Sequence, residues 1–346
     1  MEIPVKNIYF LLCYAWNKLE ESEKAQVDSS DYNDVLNLFT RVLVNGCHHL
    51  FKRGLDRNYN SAEEEYAGIK GKIDFNASLN KNLFRQGKAI CHFDQFEYNV
   101  LQNQILKSVL GRIIKVRTLD RNLKKEVWDC FYRFHHVEVI NIQLQHFSKV
   151  RIHRNNSFYD FLLKIARLIV ENTVINESDG KYTFIDFHRN EKAMAGLFED
   201  FVRNFYKKEQ SHFRVRREDI QWNAIPVENS DISFLPKMQT DITLESSNRK
   251  IVMDTKYYKQ TLAFNYSEKF HSNNLYQIYS YLRNLEQDTS DPNNENCDGM
   301  LVYPTVQKEI DETYQMENHK IRIATVDLSE DWHRIHSRLL HLISQN

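Results

Sequence analysis

Two acidic residues and a lysine stand in a spacing that can support metal-assisted chemistry on phosphate esters. Asp254 and Lys256 are separated by one residue at the end of the apolar run 251–253, and Asp241 lies upstream of a turn-forming stretch. Side chains alternate faces along a β-strand, so Asp254 and Lys256 share one face. If the two segments pair as a hairpin, Asp241 comes close to Asp254.

These residue types match the needs of phosphodiester hydrolysis. A bound Mg²⁺ acidifies a water molecule and polarises a phosphoryl oxygen, and it takes hard oxygen ligands while keeping several waters. We therefore predict that Asp241, Asp254 and the backbone carbonyl of Thr255 hold the metal. The ammonium group of Lys256 would contact the scissile phosphate or help to deprotonate the attacking water.

An Asp-x-Lys spacing alone is a weak signal, and the chain contains a second copy at Asp179-Gly180-Lys181. That copy follows a polar stretch and contains glycine, which is typical of a surface turn. The copy at Asp254 follows a β-rich apolar run and has an acid upstream. The alternative is that Asp254 and Lys256 form a solvated pair on an edge strand.

Two predicted helices add further candidates. Glu199 lies within a helix that precedes the hairpin, where it could give another metal or water contact or could be a solvated helix charge. Gln277 and Tyr281 are four residues apart on a helix after the hairpin, so they share one helix face. Polar groups in an apolar helix need partners, although ordinary tyrosine packing is an alternative. We include Glu199 and Gln277 among the candidate catalytic residues.

The order of helical and strand-like patterns predicts a mixed α/β protein. The pattern is strand-like from residue 58 to 96, and Gly54 is a plausible helix stop. Strands that alternate with helices in the second half indicate an α/β sheet covered by helices. Helices are predicted at residues 7–19, 34–51, 99–116, 123–134, 158–171, 191–208, 274–285 and 331–343, and later strands at 213–217, 240–245, 250–256, 299–303 and 322–326.

Length and composition allow two domains and exclude several classes of protein. The chain has 346 residues, and the polar segment 172–181 suggests an α+β domain over 1–175 and an α/β domain over 176–346. The net charge of -1 argues against a dedicated DNA-coating protein but allows a local basic cleft. Five scattered cysteines predict free thiols in a reducing compartment. No apolar stretch is long enough for a membrane helix, so we expect a cytoplasmic protein with no membrane association.

The site motif and several other segments carry a resemblance to known nucleases. Asp241, Asp254-Thr255-Lys256 and the pair Gln277 and Tyr281 together resemble the PD-(D/E)xK nuclease superfamily, including its Gln-xxx-Tyr branch. Nearly the whole chain is also similar to the McrC family. The segments concerned are Asn7-Ile8-Tyr9 with Tyr14-Ala15-Trp16, Gly68-Ile69-Lys70-Gly71-Lys72-Ile73, Phe187-His188-Arg189-Asn190-Glu191-Lys192, Asp254-Thr255-Lys256-Tyr257-Tyr258-Lys259, and Lys269-Phe270-His271-Ser272 with Asn274-Leu275-Tyr276-Gln277.

The McrC family consists of the nuclease subunits of McrBC modification-dependent restriction systems. The resemblance implies an endonuclease that uses Mg²⁺ to cut double-stranded DNA containing modified cytosine. It also implies that the domain over 1–175 docks into a hexameric McrB-like AAA+ GTPase and stimulates it, with GTP bound by that partner. The absence of a GxxxxGK[ST] motif from this sequence agrees with that division of labour.

By the same resemblance, Asp241, Asp254 and Lys256 match the catalytic acid, acid and lysine, whereas an acid at Glu199 is not a uniform feature of the family. Segment 68–75 could belong to the region that contacts the partner. Two alternatives remain open: a regulatory subunit with a decayed nuclease fold, and a stand-alone nuclease. Candidate DNA phosphate contacts, each of which could instead be a solvated surface charge, are Lys259, Lys269, His271, Arg214, Arg216 and Arg217.

Overall fold

The computed structural model describes residues 3–24, 34–152, 156–175, 181–185, 190–228, 230–258, 263–264, 268–306 and 308–344. These residues form two compact units. The helical unit contains the described residues from 20 to 185. The sheet unit contains the described residues up to 19 together with those from 190 onward. The predicted boundary at 172–181 and the Asp179-Gly180 turn fall largely outside the described residues.

Helices and strands are interspersed along the described residues, which confirms the predicted mixed α/β class. The α-helices are α1 (Val5–Ala15), α2 (Leu19–Lys24), α3 (Val35–Arg53), α4 (Phe75–Asn80), α5 (Leu101–Ile114), α6 (Arg121–Arg133), α7 (Leu144–Lys149), α8 (Ser157–Glu171), α9 (Glu191–Glu209), α10 (Ser272–Glu286) and α11 (Trp332–Ser344). The strands are β1 (Asn58–Ala67), β2 (Lys72–Asp74), β3 (Lys88–Glu97), β4 (Thr173–Ile175), β5 (Tyr182–Phe184), β6 (Arg214–Arg216), β7 (Asp219–Ile220), β8 (Met238–Gln239), β9 (Ile242–Glu245), β10 (Lys250–Thr255), β11 (Ala263–Phe264), β12 (Glu268–Lys269), β13 (Asp298–Pro304), β14 (Asp311–Met316) and β15 (His319–Val326).

The sheet unit is built on a six-stranded sheet in the order β14-β15-β13-β10-β9-β6. The central strands β10, β13 and β15 are parallel, and the other pairs are antiparallel. All positions of β10 are buried, which explains why it appears in the sequence as a nearly continuous apolar run. Helix α10 packs against β10 and β13 through Ile278 and Leu282, which join Val252 and Leu301 in one core cluster.

Helix α1 lies in the sheet unit, although the predicted domain of residues 1–175 included it. Its partner is α9: the Tyr14 hydroxyl donates to Glu209 Oε1 at 2.8 Å, and Asn204 Nδ2 donates to the carbonyl of Ala15 at 2.9 Å. Burial of α1 follows from its apolar residues, but apolarity does not specify which unit covers them. The prediction was therefore wrong on the placement of this helix.

The helical unit packs α3, α5, α6 and α8 together and carries a separate three-stranded antiparallel sheet in the order β1-β3-β2. Asp34 caps α3 by accepting a hydrogen bond from the amide of Leu36 at 2.8 Å, and Gly54 ends the helix with a φ of 100°, as predicted. The strand-like pattern from 58 to 96 is confirmed for β1, β2 and β3. It was wrong for α4, where the Asp74 side chain caps a short helix by accepting from Ala77.

All five cysteines are buried and free, as the absence of a CxxC motif predicted. Within the described ranges, no helix combines the length and apolarity required to cross a bilayer.

Candidate active site

The predicted hairpin is present, and it brings the two acids together. Strands β9 and β10 are antiparallel, with Ile242 opposite Met253, so Asp241 lies beside the end of β10. Asp241 Oδ2 accepts hydrogen bonds from the amide of Thr255 at 2.8 Å and from its hydroxyl at 3.1 Å. These two bonds fix the orientation of the Asp241 carboxylate at the point where Asp254 emerges from the sheet.

Asp254 is a buried carboxylate whose oxygens have unused bonding capacity. It is 1% exposed, and neither oxygen has a well-formed hydrogen bond with any described residue. Lys256 Nζ lies 2.6 Å from Oδ2 and forms an ion pair with it. One ion pair leaves the other oxygen of this buried carboxylate without compensation, which is costly when the group is ionised, so this site suits a further cation.

The donor set fits a hard divalent metal. Asp241, Asp254 and the carbonyl of Thr255 offer oxygen atoms, which Mg²⁺ prefers, and Mg²⁺ keeps waters for its other positions. Among the described residues, no group of three or more His, Cys, Asp and Glu side chains could hold a metal without help. A metal at this hairpin would therefore depend on two carboxylates, backbone oxygen and water.

Helix α10 holds Lys256 through a chain of hydrogen bonds. Lys256 Nζ donates to Gln277 Oε1 at 3.0 Å, and Gln277 Nε2 donates to the Tyr281 hydroxyl at 2.8 Å. Tyr281 in turn donates to the carbonyl of Gln239 at 3.1 Å. Because the tyrosine proton is committed to that carbonyl, Gln277 must present its amide nitrogen to Tyr281 and its oxygen to Lys256.

The electrostatics of the site favour charge on the lysine and oppose it on the acids. Burial, and then the charge of Asp241, raise the pKa of Asp254 to about 7 despite the opposing effect of Lys256. Burial and the charge of Glu199 raise the pKa of Asp241, while its bonds from Thr255 lower it. Burial alone would lower the pKa of Lys256, but Asp254 and Asp241 outweigh it and the pKa is raised.

Glu199 lies close enough to influence both acids, but its contacts are with arginines. Its Oε1 accepts from Arg203 Nη1 at 2.9 Å and from Arg217 Nη2. The neighbouring Asp200 also pairs with Arg203. The structure thus places Glu199 near the hairpin, within an ion-pair cluster that joins α9 to the residue after β6.

The basic residues predicted to contact phosphate differ in their exposure and in whether acidic side chains already pair with them. Arg216 pairs with Glu218 at 2.9 Å and Glu245 at 3.2 Å, so its charge is already neutralised. Arg214 and Lys269 are exposed, and Lys259 lies outside the described residues. The remaining two are Arg217, held by Glu199, and His271, whose ring lies 4.8 Å from that of Tyr258.

Sequence reasoning missed two groups that support the site. One is the hydroxyl of Thr255, which binds Asp241. The other is Asn274, 4% exposed, which donates to the Tyr303 hydroxyl at 3.0 Å and accepts from Tyr258 at 3.2 Å. Asn274 lies three residues before Gln277, so a search for polar residues on the same face of α10 could have found it.

Comparisons with known proteins agree on one family. A family model described as "McrBC 5-methylcytosine restriction system component" matches residues 6–304. The Type IV methyl-directed restriction enzyme EcoKMcrBC of Escherichia coli (strain K12) is 34% identical over 344 residues, which cover 99% of this chain and 98% of that protein. A chain of the solved half-complex from a tetradecameric assembly of Thermococcus gammatolerans McrB AAA+ hexamers with bound McrC has a similar fold, with a TM-score of 0.62 and 16% identity over 98% of this chain and 76% of that one. The chain therefore belongs to the family of McrBC 5-methylcytosine restriction system components.

Proposed function

We propose that this chain is the Mg²⁺-dependent DNA endonuclease subunit of its restriction complex, and that the sheet unit is a PD-(D/E)xK nuclease domain. The observation that carries the proposal is the buried Asp254 carboxylate, with unused bonding capacity, beside Asp241 and Lys256. The 34% identical relative is named as a methyl-directed restriction enzyme, which supports DNA with modified cytosine as the substrate.

We propose a part for each residue in the reaction. A bound Mg²⁺ would acidify the attacking water and polarise the phosphoryl oxygen. Asp241 and Asp254 would bind it, and the two bonds from Thr255 keep Asp241 in place. The raised pKa of Lys256 favours its charged form, so its part is to neutralise charge on the scissile phosphate rather than to accept a proton.

The helical unit carries the surface that we propose for partner docking. Around β2 and α4, three apolar side chains are largely exposed: Ile69 at 77%, Phe75 at 61% and Leu79 at 61%. We call these three residues the apolar tip. Large apolar side chains exposed within one short stretch of chain are typical of interaction surfaces. A solved relative of similar fold contains McrB AAA+ hexamers with bound McrC, which supports a hexameric AAA+ GTPase as the partner. We propose that docking stimulates the GTPase and that GTP binds the partner.

Reconstitution of the chain with the AAA+ protein of its own system tests the proposal. Asp254→Asn and Lys256→Ala should abolish GTP-dependent cleavage of methylated DNA while GTP hydrolysis continues. Glu312→Gln, an equivalent change at an exposed residue of edge strand β14, should cleave normally. Cleavage by Asp254→Asn would favour the regulatory subunit with a decayed nuclease fold. Cleavage by the isolated wild-type chain without GTP would favour a stand-alone nuclease.

A further inference from the structure

The position of Glu199 near the two acids suggests a metal contact. Its ion pairs with two arginines indicate a different role. Glu199 Oε1 is shared by Arg203 and Arg217, and Asp200 Oδ1 lies 3.8 Å from Arg217 Nη2. Exposure increases outward through the cluster: the side chain of Arg203 is 12% exposed, that of Glu199 23% and that of Arg217 44%. Arg203 thus anchors Glu199 from within, and Glu199 holds Arg217 at the surface.

The backbone places Arg217 next to the catalytic hairpin. Arg217 directly follows β6, whose Arg216 is opposite Thr243 of β9. The next residue, Glu218, donates its amide to Thr240 Oγ1 at 2.9 Å and accepts from the amide of Thr240 at 2.9 Å. Thr240 immediately precedes Asp241. The segment that carries Arg217 is therefore bonded to the segment that carries the first acid.

Arg217 retains donors that could reach a ligand. Both of its ion pairs use Nη2, and neither Nε nor Nη1 makes a hydrogen bond with any described residue. A guanidinium held on one side by a carboxylate and open on the other is suited to a phosphate group, which it can bind through two donors. Glu199, in contrast, has its Oε1 saturated by two cations, which weakens it as a ligand for a third.

We propose that Glu199 is a positioning residue that holds Arg217 against a DNA phosphate next to the scissile bond, and that Glu199 is not a metal ligand. The inference rests on the proposed nuclease function of the Asp241–Lys256 hairpin. It assigns the substrate contact to Arg217 and leaves the metal to the two aspartates.

Metal binding by the full-length chain tests whether Glu199 is a metal ligand, and it does so without any cleavage. Mn²⁺ affinity, measured by electron paramagnetic resonance, should be unchanged in Glu199→Gln and at least about tenfold weaker in Asp254→Asn. A loss of Mn²⁺ affinity in Glu199→Gln comparable to that of Asp254→Asn would overturn the proposal, because Glu199 would then be a ligand.

The DNA affinity of the complex with the partner tests whether Glu199 holds Arg217 against a DNA phosphate. It is measured in Ca²⁺ to prevent cleavage. Arg217→Ala should weaken binding by about tenfold and reduce the slope of log affinity against log salt by about 1. Glu199→Gln should also weaken binding, and the double variant should bind no more weakly than Arg217→Ala alone. The control is Arg334→Ala, which removes an arginine that is 75% exposed on α11.

The sign of the Glu199→Gln effect decides between the proposal and an ordinary surface acid. Removing an unattached negative charge near DNA would tighten binding, whereas releasing Arg217 from its position would weaken it. Tighter binding by Glu199→Gln, or a wild-type salt slope for Arg217→Ala, would overturn the proposal. A different result would contradict the proposed nuclease function itself. In that case Asp254→Asn would cleave DNA and bind Mn²⁺ like wild type, regardless of the effect of Arg217→Ala.

Discussion

At the residue scale, the buried carboxylate of Asp254 links the proposed metal binding to stability. Its pKa is raised from 3.8 to about 7, chiefly by burial. The unfolded chain ionises this group near pH 3.8, but the folded chain retains the proton up to about pH 7. Ionisation therefore opposes folding: stability falls as pH rises between these two values, and the cost is present in full above pH 7.

Asp254→Asn should remove this cost in metal-free protein. We expect the variant to have a higher Tm than wild type at about pH 8 and an equal Tm at about pH 4, measured by circular dichroism in EDTA. Mg²⁺ should raise the Tm of wild type at the higher pH more than that of the variant, because the variant lacks one of the two proposed carboxylate ligands. A variant that is less stable than wild type at the higher pH would contradict this account.

The hydrogen bond from Lys256 to Gln277 leads to a second prediction at this scale. Gln277→Leu leaves the ammonium group without its 3.0 Å acceptor, while Tyr281 keeps its bond to the carbonyl of Gln239. We expect kcat to fall by about tenfold or more, with little change in the KM for DNA. Tyr276→Phe, at a position 70% exposed on the same helix, is the control. A change in KM alone would show that Gln277 serves binding.

At the element scale, the sheet that positions the site could be predicted in part from the sequence. Strand β10 was evident because burial on both faces demands a continuous apolar run, and α10 because its apolar residues recur at helical spacing. Strand β14 was missed because its residues are largely exposed and polar, as an edge strand allows. The ion pair between Glu199 and Arg203 spans four residues of α9 and could have been predicted from helical spacing. The pair between Glu199 and Arg217 joins α9 to the residue after β6, and no local pattern could reveal it.

The contact between α10 and the sheet depends on a glycine in β13. A Cβ at Gly299 would lie 2.9 Å from Leu282 Cδ1 and 3.2 Å from Ile278 Cγ1, both on α10. Gly299→Ala should push α10 away from β13, cost about 1–3 kcal/mol in urea unfolding and lower kcat through Gln277. Gly196→Ala, in an open position of α9, should instead stabilise the protein by about 1 kcal/mol. Equal stability of Gly299→Ala and wild type would contradict close packing there.

Edge strand β14 is attached to its neighbours by a charged cluster. Asp311 Oδ1 accepts from Arg322 Nε at 2.7 Å, and Oδ2 accepts from Arg338 Nη1 at 2.7 Å. The hydrogen bond from Arg322, with help from Arg338, lowers the pKa of Asp311 to about 2. A depressed carboxyl pKa contributes stability above the unfolded value of 3.8, and that contribution is lost as pH falls toward 2.

Asp311→Asn should therefore destabilise the protein at neutral pH and have progressively less effect below about pH 4. Urea unfolding of the variant and wild type across this range measures the difference. Glu312→Gln, on the opposite side of the same strand, controls for loss of a surface charge. A pH-independent difference would mean that the Asp311 carboxylate does not stabilise the fold through its charge.

At the scale of the whole molecule, the two proposed activities belong to different units. The carboxylates, Lys256 and Gln277 all belong to the sheet unit, whereas the apolar tip belongs to the helical unit. The turn that presents Ile69 is fixed by Gly71, whose φ is 69° and where a Cβ would lie 2.3 Å from the carbonyl of His92. Because the proposed metal site and the proposed docking surface lie on different units, we predict that docking can be lost while metal binding is kept.

Charged residues at the apolar tip should abolish docking and leave metal binding intact. Ile69→Asp combined with Leu79→Asp should abolish stimulation of the partner GTPase and association in size-exclusion chromatography, because burying a carboxylate at an apolar interface is costly. The Mn²⁺ affinity of the isolated chain should stay at the wild-type value. Ile225→Asp, which changes a residue 88% exposed in the sheet unit, should leave association intact. Normal association of the double variant would place docking on another surface, and a loss of Mn²⁺ binding would show that the two units depend on each other.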